Sequence, residues 1–208
     1  MINLVMLLQL IPFLTASILL TLSPGPDIIY VLVQSISNGK KAGIITMLGL
    51  VSGIVIHTTL VAFGVSAIIK ASPILFTIIK ILGALYLFYL AYKVFKSDSS
   101  IAIGENNPPR RSRNLFGQGF IMNVLNPKVT IFFLAFFPGF LWEPEVNTIY
   151  QFYILGFLFM LQAFFIFGGV ALLAGRISKY LKRHRNSGRI LKWTQIIVFV
   201  AIGFLILI

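Results

Sequence analysis

Cysteine is absent from these 208 residues, and with it go disulfides, thiolate metal sites and dithiol redox chemistry. Charge is scarce. Asp, Glu, Lys and Arg make up 11% of the chain, against roughly 25% in a soluble domain whose surface must meet water. Only two histidines are present, His57 and His184, so a His-Glu-x-x-His metalloprotease site cannot be assembled. An intramembrane aspartyl protease would need a second Asp beside Asp27, and Ser23 with His57 has no supporting nucleophile motif. Alternating ten-residue segments of the kind that build a bilayer β-barrel are also missing. Residues 1–26, 42–69 and 146–175 contain no charged side chain at all. The first of these runs has no basic leader and continues too far to read as a cleaved signal peptide.

What remains is apolar: 58% hydrophobic residues and a mean hydropathy of +0.97. Crossing a ~30 Å hydrocarbon core takes about 20 helical residues. The pattern predicts six spans at about 5–35, 42–69, 73–95, 115–141, 147–174 and 191–208. The fold class is therefore all-α integral membrane. Spans one and four are interrupted, at Pro24-Gly25-Pro26 and at Asn126-Pro127. The sixth has only the uncharged residues 193–208, so Lys192 is expected to snorkel and lengthen it. A linker at 97–114, marked by Ser97-Asp98-Ser99-Ser100 and Pro108-Pro109, divides one transmembrane domain into halves of about 1–96 and 115–208. Three spans per half is an odd number, so a repeat must be inverted across the membrane.

The net charge of +12 points to orientation rather than to nucleic acid. Fourteen basic residues fall in loops one, three and five, from Lys40 and Lys41 through Arg110 and Arg111 to Arg189 and Lys192. Loops two and four hold only Lys70 together with Glu143 and Glu145. The positive-inside rule puts loops one, three and five in the cytoplasm and both termini outside.

One acid and two lysines are left within spans: Asp27, Lys80 and Lys128. Insertion scales charge roughly 2.5–3.5 kcal/mol for such a residue at a helix centre, so each needs a reason. Lys80 is close enough to its helix end to snorkel. Gly25-Pro26-Asp27 and Asn126-Pro127-Lys128 each read as N-cap, N1 and N2 of a helix restarting mid-membrane. Pro26 and Pro127 thus mark matching places in the two halves. Such breaks are tolerated where they line a cavity, and their exposed N–H groups suit an anion. Asp27 could be no more than a cap that complements the helix dipole, but Lys128 opposes the dipole and needs another partner. In inverted halves the two residues are expected to face each other near the midplane and to neutralise one another. Asp27, as the one intramembrane acid, is the natural proton-coupling site. In span two Gly49, Gly53, His57 and Gly64 share a stripe that reads first as close helix contact. His57 either lines the cavity or hydrogen-bonds a neighbour. Tyr30, Gln34, Asn123 and Gln162 are further polar candidates, and the Phe-rich stretches at 132–140 and 157–167 read as packing and lipid contact.

Ser23-Pro24-Gly25-Pro26-Asp27 followed by Gly39-Lys40-Lys41-Ala42-Gly43 resembles the first helix and loop of the LysE/RhtB amino-acid exporters. Asn123-Val124-Leu125-Asn126-Pro127-Lys128 resembles that family's fourth-helix motif, and Lys80 through Leu87 its third-helix segment. His57, four residues after Gly53, fits the second. The likeness runs over nearly the whole chain. It implies export of an amino acid from the cytoplasm across the cell membrane, driven by the proton-motive force, with no cofactor and no catalysis. A single intramembrane acid argues for a neutral substrate. The substrate-binding set expected on these grounds is Asp27, Lys128, Lys80, Gly25, Pro26, Asn126, Pro127, His57, Asn123 and Tyr30. The expected partners are the amino acid, protons and the bilayer, with a homo-oligomer left open. A small-solute channel or a non-transporting membrane subunit is the alternative.

Overall fold

A computed structural model describes residues 4–97, 112–144, 146–184 and 186–207; most of the expected linker lies outside them, as do Arg110, Arg111, Glu145 and Arg185. Apart from the breaks and short connections the described residues are helical, with no strand among them. Span one is α1 (Leu4–Leu22) and α2 (Pro26–Ser37), bent by 52° at the break between them. Span two is α3 (Lys40–Leu60), a π turn at Val61–Val65 and α4 (Ser66–Ala71). Span three is α5 (Pro73–Lys96), started by Pro73 at its first turn and by the Ser72 hydroxyl, which accepts from the Leu75 N–H. Span four is α6 (Ser112–Val124) and α7 (Pro127–Ile131), continued by a π turn at Phe132–Phe136 and a 3₁₀ turn at Phe137–Phe140, with a 45° bend at its break. Spans five and six are α8 (Thr148–Arg183) and α9 (Ser187–Leu207). Four helices are long and apolar enough to cross a membrane, and each bent pair supplies one further span.

The main packing pairs join the two halves. α3 packs along α6, and its counterpart α8 packs along α1 and α2; α3 meets α8, and α5 meets α9. Pairing α3 with α8 and α5 with α9 joins matching spans of the two halves, and with three spans per half such a pairing belongs to an inverted repeat.

Lipid tails are as apolar as leucine, so close packing rather than water exclusion holds such helices together. Glycine permits the tightest of these contacts. A Cβ on Gly49 would collide with the Phe116 carbonyl oxygen and lie 2.9 Å from the Phe120 nitrogen. A Cβ on Gly119 would in turn collide with the Thr46 carbonyl. α3 and α6 therefore touch backbone to backbone, and the span-two stripe is a packing surface at Gly49, Gly53 and His57 but not at Gly64, which is exposed with open space at its Cβ. Below it, the Phe-rich segment folds into one aromatic block: Phe133 stacks on Phe137 at 4.2 Å between ring centres, and Phe132 meets Phe159 at 5.5 Å. Phe157, Phe164 and Phe165 instead lie on the exposed face.

Two boundaries and one side-chain placement differ from the sequence expectation. α8 runs to Arg183 rather than 174, because charge marks where a helix leaves the bilayer and nothing before His184 breaks it. At ~1.5 Å per residue its 36 residues far exceed the hydrocarbon thickness, leaving a basic overhang. α9 begins at Ser187 and has 21 residues, sufficient to span. Lys192 does not reach into water alone: its Nζ donates to the Ser97 carbonyl at 2.7 Å, at the C-terminal end of α5.

Candidate functional site

Both helix breaks restart as their residues dictate. Pro26 opens α2 with Gly25 as N-cap in extended backbone, and Pro127 opens α7 with Asn126 as N-cap. The Asn126 side-chain oxygen accepts from the Lys128 N–H at 3.0 Å. Proline costs nothing at these positions, since its missing N–H has no helical acceptor there.

The breaks meet, and each grips the other. The Asn126 Nδ2 donates to Asp27 Oδ2 at 2.6 Å, from the second break to the first. Lys128 Nζ donates to the Ser23 carbonyl at 2.9 Å, in the same direction. The partner that Lys128 needs is thus the C-terminal end of α1, where carbonyls left without helical donors carry the negative end of the dipole. Asp27 and Lys128 do come to one place, but not as the direct ion pair expected of them. Each carries a hydrogen bond to the opposite break, and both wall the same cavity. Asp27, Lys128, Asn123 and Asn126 are all buried, and Ser23 is fully so.

That cavity is lined on its polar side by Thr21, Ser23, Gly25, Asp27, Asn123 and Lys128, and closed by Phe159 and Phe167. Two residues of the Phe-rich stretches therefore wall the site rather than contact lipid. The volume is about 20 Å³, space for one water molecule and far too little for an amino acid. The conformation is a closed one. Around it the polar atoms are left incomplete: Ser23 Oγ, Asp27 Oδ1, Asn123 Oδ1, Gln162 Oε1 and Ser17 Oγ make no hydrogen bond among the described residues. Buried groups of this kind are rare and call for a partner. Three of the five are pure acceptors, so the partner is a donor.

The other expected residues are placed apart. His57 does not line the cavity. Its Nε2 lies 3.1 Å from the Asn123 carbonyl, an acceptor, so the ring donates there and satisfies the last turn of α6, with Phe133 beside it at 5.5 Å. Tyr30 donates to the Gln118 side chain, joining α2 to α6, and shares with Pro26, Asn126 and Pro127 an open groove distinct from the cavity. Lys80 is half-buried on α5 and is not among the cavity-lining residues. Gln34 accepts from Asn38 at the far end of α2. Gln162 reaches the site through Thr21, whose hydroxyl accepts from its Nε2 at 2.9 Å.

Thr21 was not legible as a lining residue. Like Thr15 it bonds the carbonyl four residues back, and nothing in the sequence separates the two. The Ser23 carbonyl was within reach of reasoning, because a helix that ends inside the bilayer leaves carbonyls that need a donor.

The model of the LysE type translocator family matches residues 18–208. The chain is 31% identical over 170 residues to the homoserine/homoserine lactone efflux protein of Salmonella typhimurium, with 82% of each chain covered. It is 32% identical over 170 residues to the protein of the same name in Salmonella typhi. With the uncharacterized membrane protein YrhP of Bacillus subtilis it shares 30% identity over 205 residues, 94% of this chain and 96% of that one. No solved structure matches.

Proposed function

The chain belongs to the LysE type translocator family, a transporter of small molecules and not an enzyme, and from that premise we propose that it exports a small neutral amino acid in exchange for protons. The observation that carries this reading is the cavity's division of labour. Acceptor oxygens of Asp27 and Asn123 lack donors, and a lone cation, Lys128, stands in the same chamber. An α-ammonium supplies three donors, and an α-carboxylate asks for a cation. The substrate ammonium takes Asp27 Oδ1 and Asn123 Oδ1. Its carboxylate draws Lys128 Nζ from the Ser23 carbonyl, aided by the free first-turn N–H groups of α2. Since Lys128–Ser23 is one of the two bonds that hold the breaks together, binding loosens the halves from each other and opens the closed chamber.

Proton exchange follows from Asp27 having one role at a time. A carboxylate that binds an ammonium cannot also hold a proton, so proton entry expels the substrate and substrate entry expels the proton. With loops one, three and five in the cytoplasm, the gradient drives export. The two Salmonella relatives are named for efflux of homoserine and its lactone. A side chain of that size, ending in a hydroxyl, suits the Thr21–Gln162 edge, where Gln162 Oε1 and Ser17 Oγ lack partners. His57, Tyr30, Pro26, Pro127 and Asn126 act in this reading as the frame that holds the breaks, and Lys80 takes no part in substrate binding.

The test is export from vesicles loaded with labelled homoserine under an imposed pH gradient, with norvaline and lysine for comparison. Wild type accelerates homoserine efflux when the gradient is applied. Asp27→Asn accumulates in the membrane but loses that acceleration. Unchanged gradient-driven efflux by Asp27→Asn makes Asp27 a helix cap and removes the coupling mechanism.

A further inference from the structure

A second site lies at the other end of α2. The turn from α2 into α3 and the overhang of α8 flank an open pocket of about 770 Å³. Its polar wall presents Lys40, Lys179 and Arg183 with the hydroxyls of Ser35 and Ser178, and no carboxylate lines it. Its remaining wall is apolar, from Ile36, Ala174 and Gly175. Gly39, at φ +85°, caps α3 without a side-chain hydrogen bond, and the space where its Cβ would stand is open. Leu172 and Leu173, on the adjoining turn of α8, are exposed. A pocket with cations at its rim, two serines in its wall and an apolar side matches one class of ligand. We propose that it binds the phosphate headgroup of an anionic glycerophospholipid, with the acyl chains leaving along α8.

Two features favour a lipid over a soluble phosphate. The pocket sits where α8 passes from its uncharged run into its basic overhang, which is the depth of the headgroups. Its apolar wall would gain nothing from inorganic phosphate. The inference also rests on the topology proposed above, which puts this end in the cytoplasm, where the anionic leaflet lies.

The site has a mechanical position. α2 has 12 residues, about 18 Å, with Asp27 in its first turn and Ser35 and Ile36 in its last. Just behind the pocket the packing is tight: a Cβ on Gly43 would lie 2.9 Å from Ser35 Cβ and 3.2 Å from Ala171 Cβ. A headgroup that joins Lys40 to Lys179 and Arg183 clips the far end of α2 to α8. Lipid composition then alters how readily the half-helix bearing Asp27 moves.

The test is native mass spectrometry of the full chain released from micelles containing phosphatidylglycerol and phosphatidylcholine in equal amounts. Wild type retains phosphatidylglycerol preferentially. Lys179→Gln/Arg183→Gln, on the overhang and outside the packed core, lowers that retention roughly thirtyfold, the loss expected for two basic groups at an anionic surface. Lys40→Gln lowers it by a smaller factor, and Lys93→Gln/Lys96→Gln, with the same change of charge at the end of α5, leaves it intact. Equal losses in the two double variants would mean diffuse attraction and overturn the site. Displacement of the lipid by millimolar inorganic phosphate would make it a soluble-anion site and overturn the lipid assignment. In vesicles, homoserine efflux rises with added phosphatidylglycerol for wild type and not for Lys179→Gln/Arg183→Gln. A wild type that exports no amino acid under any lipid condition counts against the proposed function, while the retention experiment still decides the lipid site.

Discussion

Asn126 makes two bonds with different purposes, and substitution can separate them. Its Oδ1 caps α7 through the Lys128 N–H at 3.0 Å, and its Nδ2 donates to Asp27 Oδ2 at 2.6 Å across the two breaks. Serine is as good an N-cap as asparagine but too short to reach Asp27. Asn126→Ser therefore removes the cross-break bond alone, a hydrogen bond to a carboxylate worth about 1.5–3 kcal/mol. Asn126→Ala removes the cap as well, adding about 1 kcal/mol. Burial limits the dilution of these figures, since Asp27 is 7% exposed and the cavity beside it has space for no more than one water molecule. The assay is reversible unfolding of the solubilised protein in mixed SDS micelles, followed by the fluorescence of Trp142 and Trp193, the two tryptophans of the chain. The expected order of stability is wild type, then Ser, then Ala. In an Asp27→Asn background, where the acceptor has lost its charge, the cost of Asn126→Ser should shrink by at least half. A Ser variant as stable as wild type, or a cost unchanged in the Asp27→Asn background, would refute the cross-break bond as a stabilising contact.

Gly49→Ala drives a methyl into the Phe116 carbonyl and should cost about 1–3 kcal/mol and reduce the folded yield, whereas Gly64→Ala, with open space at its Cβ, should be neutral in the same unfolding assay. The cysteine-free chain permits a topology test by impermeant thiol labelling: Glu143→Cys should label from outside the cell and Ser99→Cys should not, and the reverse pattern would invert the assigned orientation. Lys80→Gln should leave homoserine efflux within about twofold of wild type, because Lys80 stands outside the cavity; a loss of roughly tenfold would return it to the site.

The breaks were legible because proline, a capping residue and a charge in three consecutive positions have few readings inside a bilayer. Their meeting was legible too, through the equal spacing of Pro26 and Pro127 in two halves of three spans. Which atoms would touch was not. Pairing Asp27 with Lys128 by charge alone overlooked that a broken helix offers a carbonyl end to a cation and that a capping Asn has an N–H₂ to spare. His57 illustrates the same limit: its spacing from Gly53 puts it on the face toward α6, but only the fold reveals that a main-chain carbonyl waits there. The end of α8 was misplaced for a different reason. Hydropathy reports where a segment leaves hydrocarbon, whereas helix continuity depends on local breakers, and none precedes His184.

The π turn at Val61–Val65 has a consequence for how this span tolerates change in length. A π turn amounts to one residue inserted into an α-helix. Removing a residue there, Gly64 for instance, lets the segment relax to ordinary α-helix while α3 and α4 keep their facing. Removing a residue from 45–48 instead rotates everything beyond it by about 100°, which carries Gly49 and His57 off the surface they share with α6. The turn touches the other π turn, at Phe132–Phe136 in span four, so the two insertions lie against each other. Among relatives of differing length, this junction is where a gained or lost residue can be absorbed without re-threading the helices around the site.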